Sequence, residues 1–183
     1  MESKYSDKQK VILDVAQKLF AENGFAGTSV RDIAKEAEVN IAMISYYFGS
    51  KEKLLEAIFL RHGEVVRLQI ESILHDEKLT PLQKVEQLID HYIEKYFSKQ
   101  NFHLLVMREQ LSSKESPIHS MLGEMKRNNM NLIKQLIADG QKKGDFKKNV
   151  DVPLMMATML GTTNQLMTTK NFYKEMQKER RNI

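Results

Sequence analysis

The sequence predicts an all-α protein, and three observations support this prediction. Only three of its 183 residues are proline and eight are glycine, so few positions favour turns or helix breaks. Helix-compatible Leu, Ile, Met, Glu, Lys and Gln are abundant, and apolar residues recur at helical spacing along most of the chain. With 42% hydrophobic residues the chain can bury a core, which argues against disorder.

Composition also excludes several kinds of protein. The chain has no cysteine, which excludes disulfides and thiolate metal sites, and its five histidines lack metal-ligand spacing on one helix face. No stretch approaches the ~20 apolar residues of a membrane span, and no apolar segment follows the charged N-terminus. Glycine loops for phosphate, nucleophile elbows and paired catalytic groups are not found in the sequence. We therefore expect a cytoplasmic protein that is not an enzyme and carries neither a metal nor a cofactor.

The basic balance of the chain does not by itself locate a nucleic-acid site. The net charge is +4, but residues 1–62 contain nine basic and nine acidic residues. The excess falls in residues 63–183, where nineteen basic residues stand against fifteen acidic ones. Any contact with phosphate groups must therefore come from a few placed donors.

The first helix is predicted from Ser6 to Asn23, because apolar residues recur there every three or four positions. Its apolar face consists of Val11, Ile12, Val15, Ala16, Leu19 and Phe20. Gly24 follows as a left-handed C-cap, since glycine adopts positive φ without a steric cost.

Two short helices joined by a tight turn are predicted next. Thr28 or Ser29 can cap the second helix, and Ser29 with Asp32 has the spacing of a capping box. The inner face of this helix holds Val30, Ile33, Ala34 and Ala37. Glu38-Val39 forms the turn, and Asn40 is a good N-cap for the third helix. This arrangement is a helix-turn-helix signature.

The outward face of the third helix is too apolar for an ordinary solvated surface. Ile44 and Phe48 can point inward with Val39. The residues left outside are Ile41, Ala42, Met43, Ser45, Tyr46 and Tyr47. Either a partner covers this face or it packs against the C-terminal region. Ser50-Lys51 at the next helix start favours a partner with phosphates, because hydroxyls, a lysine and helix N-terminal amides bind phosphate groups.

Six further helices are predicted in the rest of the chain. They begin at Lys51, Pro81, Asn101, Ser116, Asp151 and Asn171. The fourth is long and reaches about His75 with only Gly63 as an interruption, and the seventh reaches about Lys143. Proline suits the first turn of a helix, which supports the starts near Pro81 and Pro117.

Residues 8–62 resemble the N-terminal domain of the TetR family of transcriptional repressors. The motifs that carry the resemblance are Leu19-Phe20, residues 24–29, Ile33-Ala34, Val39, Tyr47-Phe48 and residues 51–55. The resemblance implies a three-helix DNA-binding domain in residues 1–50. It also implies a helical ligand-binding and dimerisation domain in residues 51–183, which the long fourth helix joins to the first, with about nine helices in all.

Two positions depart from the family pattern. The turn position that is usually glycine is Glu38, which must then tolerate a left-handed or otherwise less favourable backbone at a cost of about 1 kcal/mol. The position after Ile44, commonly tyrosine, is Ser45. We expect a slight loss of domain stability from the first departure and a different operator preference from the second.

The resemblance also implies which side chains contact DNA. Ile41, Ala42 and Met43 would face base edges in the major groove, where apolar side chains suit thymine methyl groups. Ser45 and Tyr46 would lie beside them.

Other candidates would contact phosphates. Arg31 is a candidate for a guanine or phosphate contact, with a solvated charge or a salt bridge as the alternative. Thr28, Tyr47 and Lys51 look like phosphate anchors, although packing is an alternative for Tyr47 and surface solubility for Lys51. The complete candidate set is Thr28, Ser29, Arg31, Asn40, Ile41, Ala42, Met43, Ser45, Tyr46, Tyr47 and Lys51.

Nine of the eleven methionines lie beyond Phe102. A methionine-rich interior is either ordinary helical core or an adaptable cavity, because unbranched, polarisable side chains conform to varied apolar ligands. The second possibility predicts a small apolar or amphipathic ligand. The candidate lining residues are Tyr92, Tyr96, Phe97, Phe102, His103, Met107, Met125, Met155 and Met159.

Small residues on the eighth helix permit close helix contact, either within one subunit or with a second copy. With the ninth helix they resemble the dimer interface of the family, a four-helix bundle formed from two helices of each subunit. The candidate interface residues are Leu154, Ala157, Thr158, Gly161 and Gln165. A dimer can place two recognition helices about 34–36 Å apart, which matches half-sites one DNA turn apart.

We therefore expect a transcriptional regulator that binds a palindromic DNA operator as a homodimer. Most regulators of such a family are repressors, so a repressor is expected here. It would release the operator when a small molecule fills the C-terminal domain. Control by a protein partner is the alternative. A cavity on the order of several hundred Å³ favours a ligand, whereas an exposed apolar patch without an enclosed cavity favours a protein.

Overall fold

A computed structural model describes residues 5–111 and 117–181 of the chain. Over these residues the protein has nine α-helices and no β-strand, which confirms the predicted all-α class. The helices are α1 Asp7–Asn23, α2 Val30–Glu36, α3 Ile41–Phe48, α4 Lys51–Leu74, α5 Pro81–Ser98, α6 Gln100–Leu111, α7 Pro117–Lys143, α8 Val152–Thr168 and α9 Lys170–Arg181. Ser116, predicted to open the seventh helix, lies outside the described residues.

Local capping chemistry explains where the first two helices begin and end. The Ser6 hydroxyl accepts from the Gln9 N–H, and the Gln9 side chain accepts from the Ser6 N–H at 2.9 Å, which forms a capping box. Ser29 and Asp32 form the second, predicted capping box at the start of α2. Gly24 ends α1 with φ of 78°, as predicted.

The turn between α2 and α3 closes as a Schellman motif. The Val39 N–H donates to the Ala34 carbonyl at 3.0 Å, and the Glu38 N–H donates to the Lys35 carbonyl at 3.3 Å. Glu38 has φ of 53°, so the left-handed backbone expected at this non-glycine position is confirmed. The turn therefore carries a conformational cost of about 1 kcal/mol that glycine would avoid.

The described chain separates into two compact units. The first comprises Met1–Gln69 and Lys99–Arg127, and the second comprises Ile70–Ser98 and Asn128–Ile183. A division by compactness does not test the division by function that the sequence predicts at residue 50. That functional boundary stays a prediction.

The core of the first unit extends well beyond the three N-terminal helices. α1 packs along α6, and side chains of α1 to α4, α6 and α7 form one buried cluster. Its fully buried members include Ile12, Leu13, Phe20, Ile33, Leu54, Ile58, Phe59 and Leu105. Ile44 of α3 joins them with 1% of its surface exposed. The helix-turn-helix is thus fixed on a base to which α4 and α6 contribute.

The second unit combines an apolar cluster with a partly buried hydrogen bond between two helices. Ile133, Ile137 and Val152 form its buried centre. On α5, the hydroxyl of fully buried Tyr96 donates to the Asn164 side chain of α8. This bond satisfies two polar groups that are partly shielded from water, so it helps to specify how α5 and α8 pack.

Candidate nucleic-acid interface

One face of α3 is open to solvent. Tyr46 is 85% exposed and Ile41 is 40% exposed, and Ala42 and Ser45 are exposed beside them. These residues lie at positions i, i+1, i+4 and i+5, so they share one side of the helix. The opposite side carries the buried Ile44. α3 therefore presents a mixed apolar and aromatic face with a hydroxyl at its centre.

Two of the residues predicted to point outward are only half-exposed. Met43 and Tyr47 are both of intermediate burial, and Tyr47 packs against the core of the first unit. The Tyr47 ring lies between its neighbours, with centroids 5.3 Å from Tyr46 and 6.3 Å from Phe48. The Tyr47 ring thus packs on the protein core, which was the alternative to a phosphate contact. The exposed face of α3 is therefore narrower than the sequence indicated.

The ends of α3 fix the orientation of this face. The Asn40 side-chain oxygen accepts from the Ala42 N–H at 2.9 Å, which is the predicted N-cap. Gly49 ends the helix with φ of 80°, and its N–H donates to the Ser45 carbonyl. Asn40 therefore uses its side-chain oxygen within the protein and retains its amide N–H groups for an outside acceptor.

Thr28 does not have the position expected of a phosphate anchor. Its residue surface is only 1% exposed, and its hydroxyl lies 2.9 Å from the Gly24 carbonyl and 3.1 Å from the Leu19 carbonyl. The hydroxyl can donate to these carbonyls but cannot reach an outside phosphate. We correct the sequence-based expectation accordingly, because the Thr28 side chain closes the loop between α1 and α2.

Lys51 is half-buried rather than extended into solvent. Its ammonium group donates to the carbonyls of Phe25 and Thr28, both at 2.9 Å, and lies 4.3 Å from the centroid of the Phe25 ring. Two of the three ammonium N–H groups are therefore used within the protein.

The remaining predicted residues lie on α2 and its cap. Arg31 is exposed in the first turn of α2. Ser29 is exposed, but its hydroxyl donates to Asp32 at 2.6 Å. The hydrogen bonds from Ser29 hold the pKa of Asp32 below its usual value, so the capping carboxylate stays ionised at neutral pH.

The predicted ligand-binding residues are divided between the two units. In the first unit, the Phe102 ring stacks on the His62 ring at 3.8 Å, and the His62 Nε2–H donates to the Gln17 side-chain oxygen at 2.6 Å. Burial lowers the pKa of both His62 and His103 to about 4, so both rings are neutral at pH 7. Helical spacing in the sequence does not predict this packed group, because its members come from α1, α4 and α6.

In the second unit, Tyr92, Tyr96 and Phe97 follow one another along α5, with ring centroids 5.6 and 5.9 Å apart. Burial raises the pKa of Tyr92 and of Tyr96, so their hydroxyls remain protonated donors. A crevice of about 200 Å³ also lies in this unit. Its lining residues are Leu74, His75, Pro81, Lys84, Leu132, Gln135, Leu136, Asp139 and Lys143, and none of them was predicted to bind a ligand.

The predicted interface residues form an exposed stripe on α8. Leu154, Ala157, Thr158, Gly161 and Gln165 are all exposed. Their spacing of three and four residues places them on one side of the helix. A Cβ atom added to Gly161 would meet nothing within 4 Å. On α9, Phe172 and Met176 are also exposed, at 57% and 44%.

Within the described residues no helix is both long and apolar enough to cross a bilayer.

Two family models match the chain. Residues 12–58 match the model described as bacterial regulatory proteins of the tetR family. Residues 81–181 match the model described as a tetracyclin repressor-like C-terminal domain. The first match contains the exposed face of α3, and the second contains the exposed stripe of α8.

Relatives and solved structures agree with these matches. The chain is 27% identical to the fatty acid metabolism regulator protein of Bacillus subtilis, over 88% of this chain and 82% of that protein. It is 30% identical to the HTH-type transcriptional repressor NicS of Pseudomonas putida, over 81% of this chain and 71% of that protein. FadR of Bacillus subtilis, solved in complex with stearoyl-CoA, superposes with a TM-score of 0.74 at 25% identity, over 91% of this chain and 88% of that chain.

Proposed function

Since the chain belongs to the tetR family of bacterial regulatory proteins, we propose that it is a transcriptional repressor that binds a palindromic DNA operator as a homodimer. The observation that carries this proposal is the exposed face of α3, where Ile41, Ala42, Ser45 and Tyr46 stand outside a helix anchored by the buried Ile44. A rigid helix with apolar and aromatic side chains on its open side suits the major groove.

The proposed contacts divide into two kinds. Ile41, Ala42, Met43, Ser45 and Tyr46 are proposed to contact base edges, mainly thymine methyl groups, which gives modest discrimination for each base pair. The residues proposed to contact the phosphate backbone are Ser29, Arg31, Asn40 and Tyr47. A protein with so few backbone donors depends on binding two half-sites at once, so the homodimer is part of the proposal.

Replacing Ile41 with glutamine is expected to change the preferred base at one position in each half-site. A glutamine side chain pairs with adenine through two hydrogen bonds, and such a pair contributes on the order of 1–3 kcal/mol to base discrimination. The measurement is selection of bound sequences from a random DNA pool by the wild type and by Ile41→Gln. The matched control is Leu60→Gln, because Leu60 is 49% exposed but lies on α4. Identical selected sequences for all three proteins would show that Ile41 does not contact bases.

We further propose that a ligand with a long acyl chain controls DNA binding. Two similarities support this ligand class. One is to a FadR that was solved with stearoyl-CoA, and the other is to a fatty acid metabolism regulator. Tyr92, Tyr96, Phe97, Met155 and Met159 are the proposed ligand residues of the second unit, and Phe102, His103, Met107 and Met125 are those of the first. Both groups join apolar side chains to a few polar atoms, which suits an amphipathic ligand.

Micromolar stearoyl-CoA is expected to release the protein from its selected operator. The ligand can do so only by binding better to the DNA-free conformation than to the DNA-bound one. The measurement is fluorescence anisotropy of labelled operator during titration with stearoyl-CoA, and coenzyme A without the acyl chain is the control. Equal effects of both compounds, or no effect of either, would contradict the proposed ligand class without affecting the proposal of DNA binding.

Control by a protein partner remains the second candidate, and one observation favours it. α5 exposes Leu82, Ile89, Ile93 and Phe97 at 38–54% of their surface, and their spacing places them on one side of the helix. Glutamate substitutions at Ile89 and Ile93 distinguish the two candidates. Under ligand control, the purified variants keep the stearoyl-CoA response of the wild type. Under protein control, stearoyl-CoA does not release the DNA from the purified wild type, and the substitutions abolish the release of DNA that a cell lysate causes.

A further inference from the structure

The loop between α1 and α2 is held by contacts from both sides. It begins at Gly24, which has φ of 78°, and ends at Ser29, the N-cap of α2. On the side of α1, the buried Thr28 hydroxyl lies within hydrogen-bond distance of the Leu19 and Gly24 carbonyls. This contact ties the end of the loop to the last turn of α1.

From the other side, α4 contributes Lys51. Its ammonium group donates to the Phe25 and Thr28 carbonyls, each at 2.9 Å, and it lies over the face of the Phe25 ring. The Phe25 ring in turn lies 5.4 Å from the ring of fully buried Phe20. The Lys51 ammonium group therefore satisfies two loop carbonyls and makes a cation–π contact with the Phe25 ring, which packs on the core.

The position of α2 depends on this loop, and α3 depends on α2. Ser29 begins α2 directly after the Thr28 carbonyl that Lys51 binds. α2 and α3 are then joined by the short Schellman turn at Glu38. A displacement of the loop is therefore passed to the exposed face of α3.

We propose that Lys51 is a positioning residue, which clamps the α1–α2 loop to the start of α4 and thereby sets the position of the helix-turn-helix, rather than a phosphate anchor. The inference rests on the proposed DNA binding. It differs from the sequence-based expectation because two of the three ammonium donors are already bound to carbonyls at short distance.

The dependence of DNA affinity on salt separates the two roles. A lysine that neutralises one phosphate contributes about 0.9 to the slope of log affinity against log salt concentration. A positioning residue leaves this slope unchanged, and its removal lowers the affinity by a similar factor at every salt concentration.

The test compares Lys51→Met with Lys53→Met. Methionine keeps an unbranched apolar stem, and Lys53 is an exposed lysine of the same helix turn whose ammonium bonds only to Glu56 among the described contacts. We expect Lys51→Met to bind the selected operator about tenfold or more weakly, with the salt slope of the wild type preserved. We also expect faster amide hydrogen exchange at residues 28 and 29 of the free protein, and neither effect in Lys53→Met.

A salt slope reduced by about 0.9 in Lys51→Met, with unchanged amide exchange in the loop, would overturn the inference. If Lys51→Met fails to fold, Lys51→Gln provides the second test, because it removes the charge and keeps side-chain N–H donors. The clamp predicts the salt slope of the wild type for Lys51→Gln, whereas a phosphate anchor predicts a slope reduced by about 0.9. A wild type that selects no DNA sequence would contradict the proposed function, and the exchange measurement would still test the clamp.

Discussion

In the proposed homodimer, replacing Gly161 with arginine is expected to separate the two subunits and to lower operator affinity by a factor on the order of 10²–10⁴. Gly161 lies in the exposed stripe of α8 with Leu154, Ala157, Thr158 and Gln165. A large charged side chain at the centre of this stripe would hold a partner helix away. Each monomer would then bind a single half-site, and the gain from simultaneous binding of two half-sites would be lost.

The single chain itself should tolerate this substitution. A Cβ atom at Gly161 would have no neighbour within 4 Å. Arginine also favours the helix interior by about 0.8–1 kcal/mol relative to glycine, so the isolated subunit should become slightly more stable. If the variant subunit is as stable as the wild type but does not dimerise, the substitution has changed the interface on the surface of α8 rather than the fold of the subunit.

Sedimentation equilibrium at micromolar concentration and operator binding by anisotropy together check this prediction. Asn149→Arg is the matched control, because it adds the same charge at an exposed position in the loop before α8. Circular dichroism establishes that each variant is folded. A Gly161→Arg protein that remains dimeric would rule out this stripe as the interface, and a monomeric wild type would rule out the homodimer.

Acidification from pH 7 to pH 5 is expected to lower the free energy of unfolding by about 2 kcal/mol for each of His62 and His103. Burial lowers the pKa of each from 6.5 to about 4. For His62, the positive charges of Arg61 and Lys99 act in the same direction, and Asp14 opposes them. The His62 Nε2–H bond to Gln17 and the stacking on Phe102 hold this neutral ring in place.

The direction of the effect follows from proton linkage. Between pH 6.5 and pH 4 the unfolded chain binds protons at these histidines and the native state does not, so stability falls as the pH falls. Above pH 6.5 both states are neutral and the contribution is constant and complete. With both histidines, the slope within this window approaches about 2.7 kcal/mol per pH unit.

Urea unfolding of the wild type and of His62→Gln at pH 7.5, 6.0 and 5.0 checks this prediction. Glutamine retains a side-chain N–H for Gln17 but does not titrate, so the acid-induced loss attributed to His62 should disappear. His75→Gln is the control, because His75 is exposed. An identical pH dependence in the wild type and His62→Gln would show that this ring is not held neutral in the fold.

Local chemistry explains why the helices could be predicted from the sequence. The starts of α1, α2, α3 and α8 follow from side chains that accept from an N–H two or three residues away, as Ser29, Asn40 and Asp151 do. The left-handed backbone at Glu38 was predicted from the family pattern for the same reason, since the turn geometry demands it regardless of what packs nearby. Signals of this range are visible in the sequence itself.

The candidate DNA-binding face was predicted in part. The burial of Ile44 and the exposure of Ile41 and Tyr46 follow from helical spacing. Spacing did not show that Tyr47 packs on the core, nor that the Thr28 hydroxyl turns inward. Their surroundings depend on which loops and helices approach α2 and α3, and spacing within one helix does not contain this information.

The sequence alone thus determined the all-α class, the helix boundaries, the helix-turn-helix and the family resemblance, because these rest on propensity, capping and contacts within a few residues. Tertiary structure decided that Lys51 binds carbonyls 23 and 26 residues earlier in the chain. It also decided that Arg108 of α6 donates to the Glu22 carbonyl, 86 residues away, within the unit that carries the recognition helix. Such pairings are selected by the packing of whole helices, where burial and hydrogen-bond satisfaction compete over all possible partners. For that reason the side chains on the exposed face of α3 could be recognised from the sequence. The side chains that hold α3 in position could be identified only from the fold.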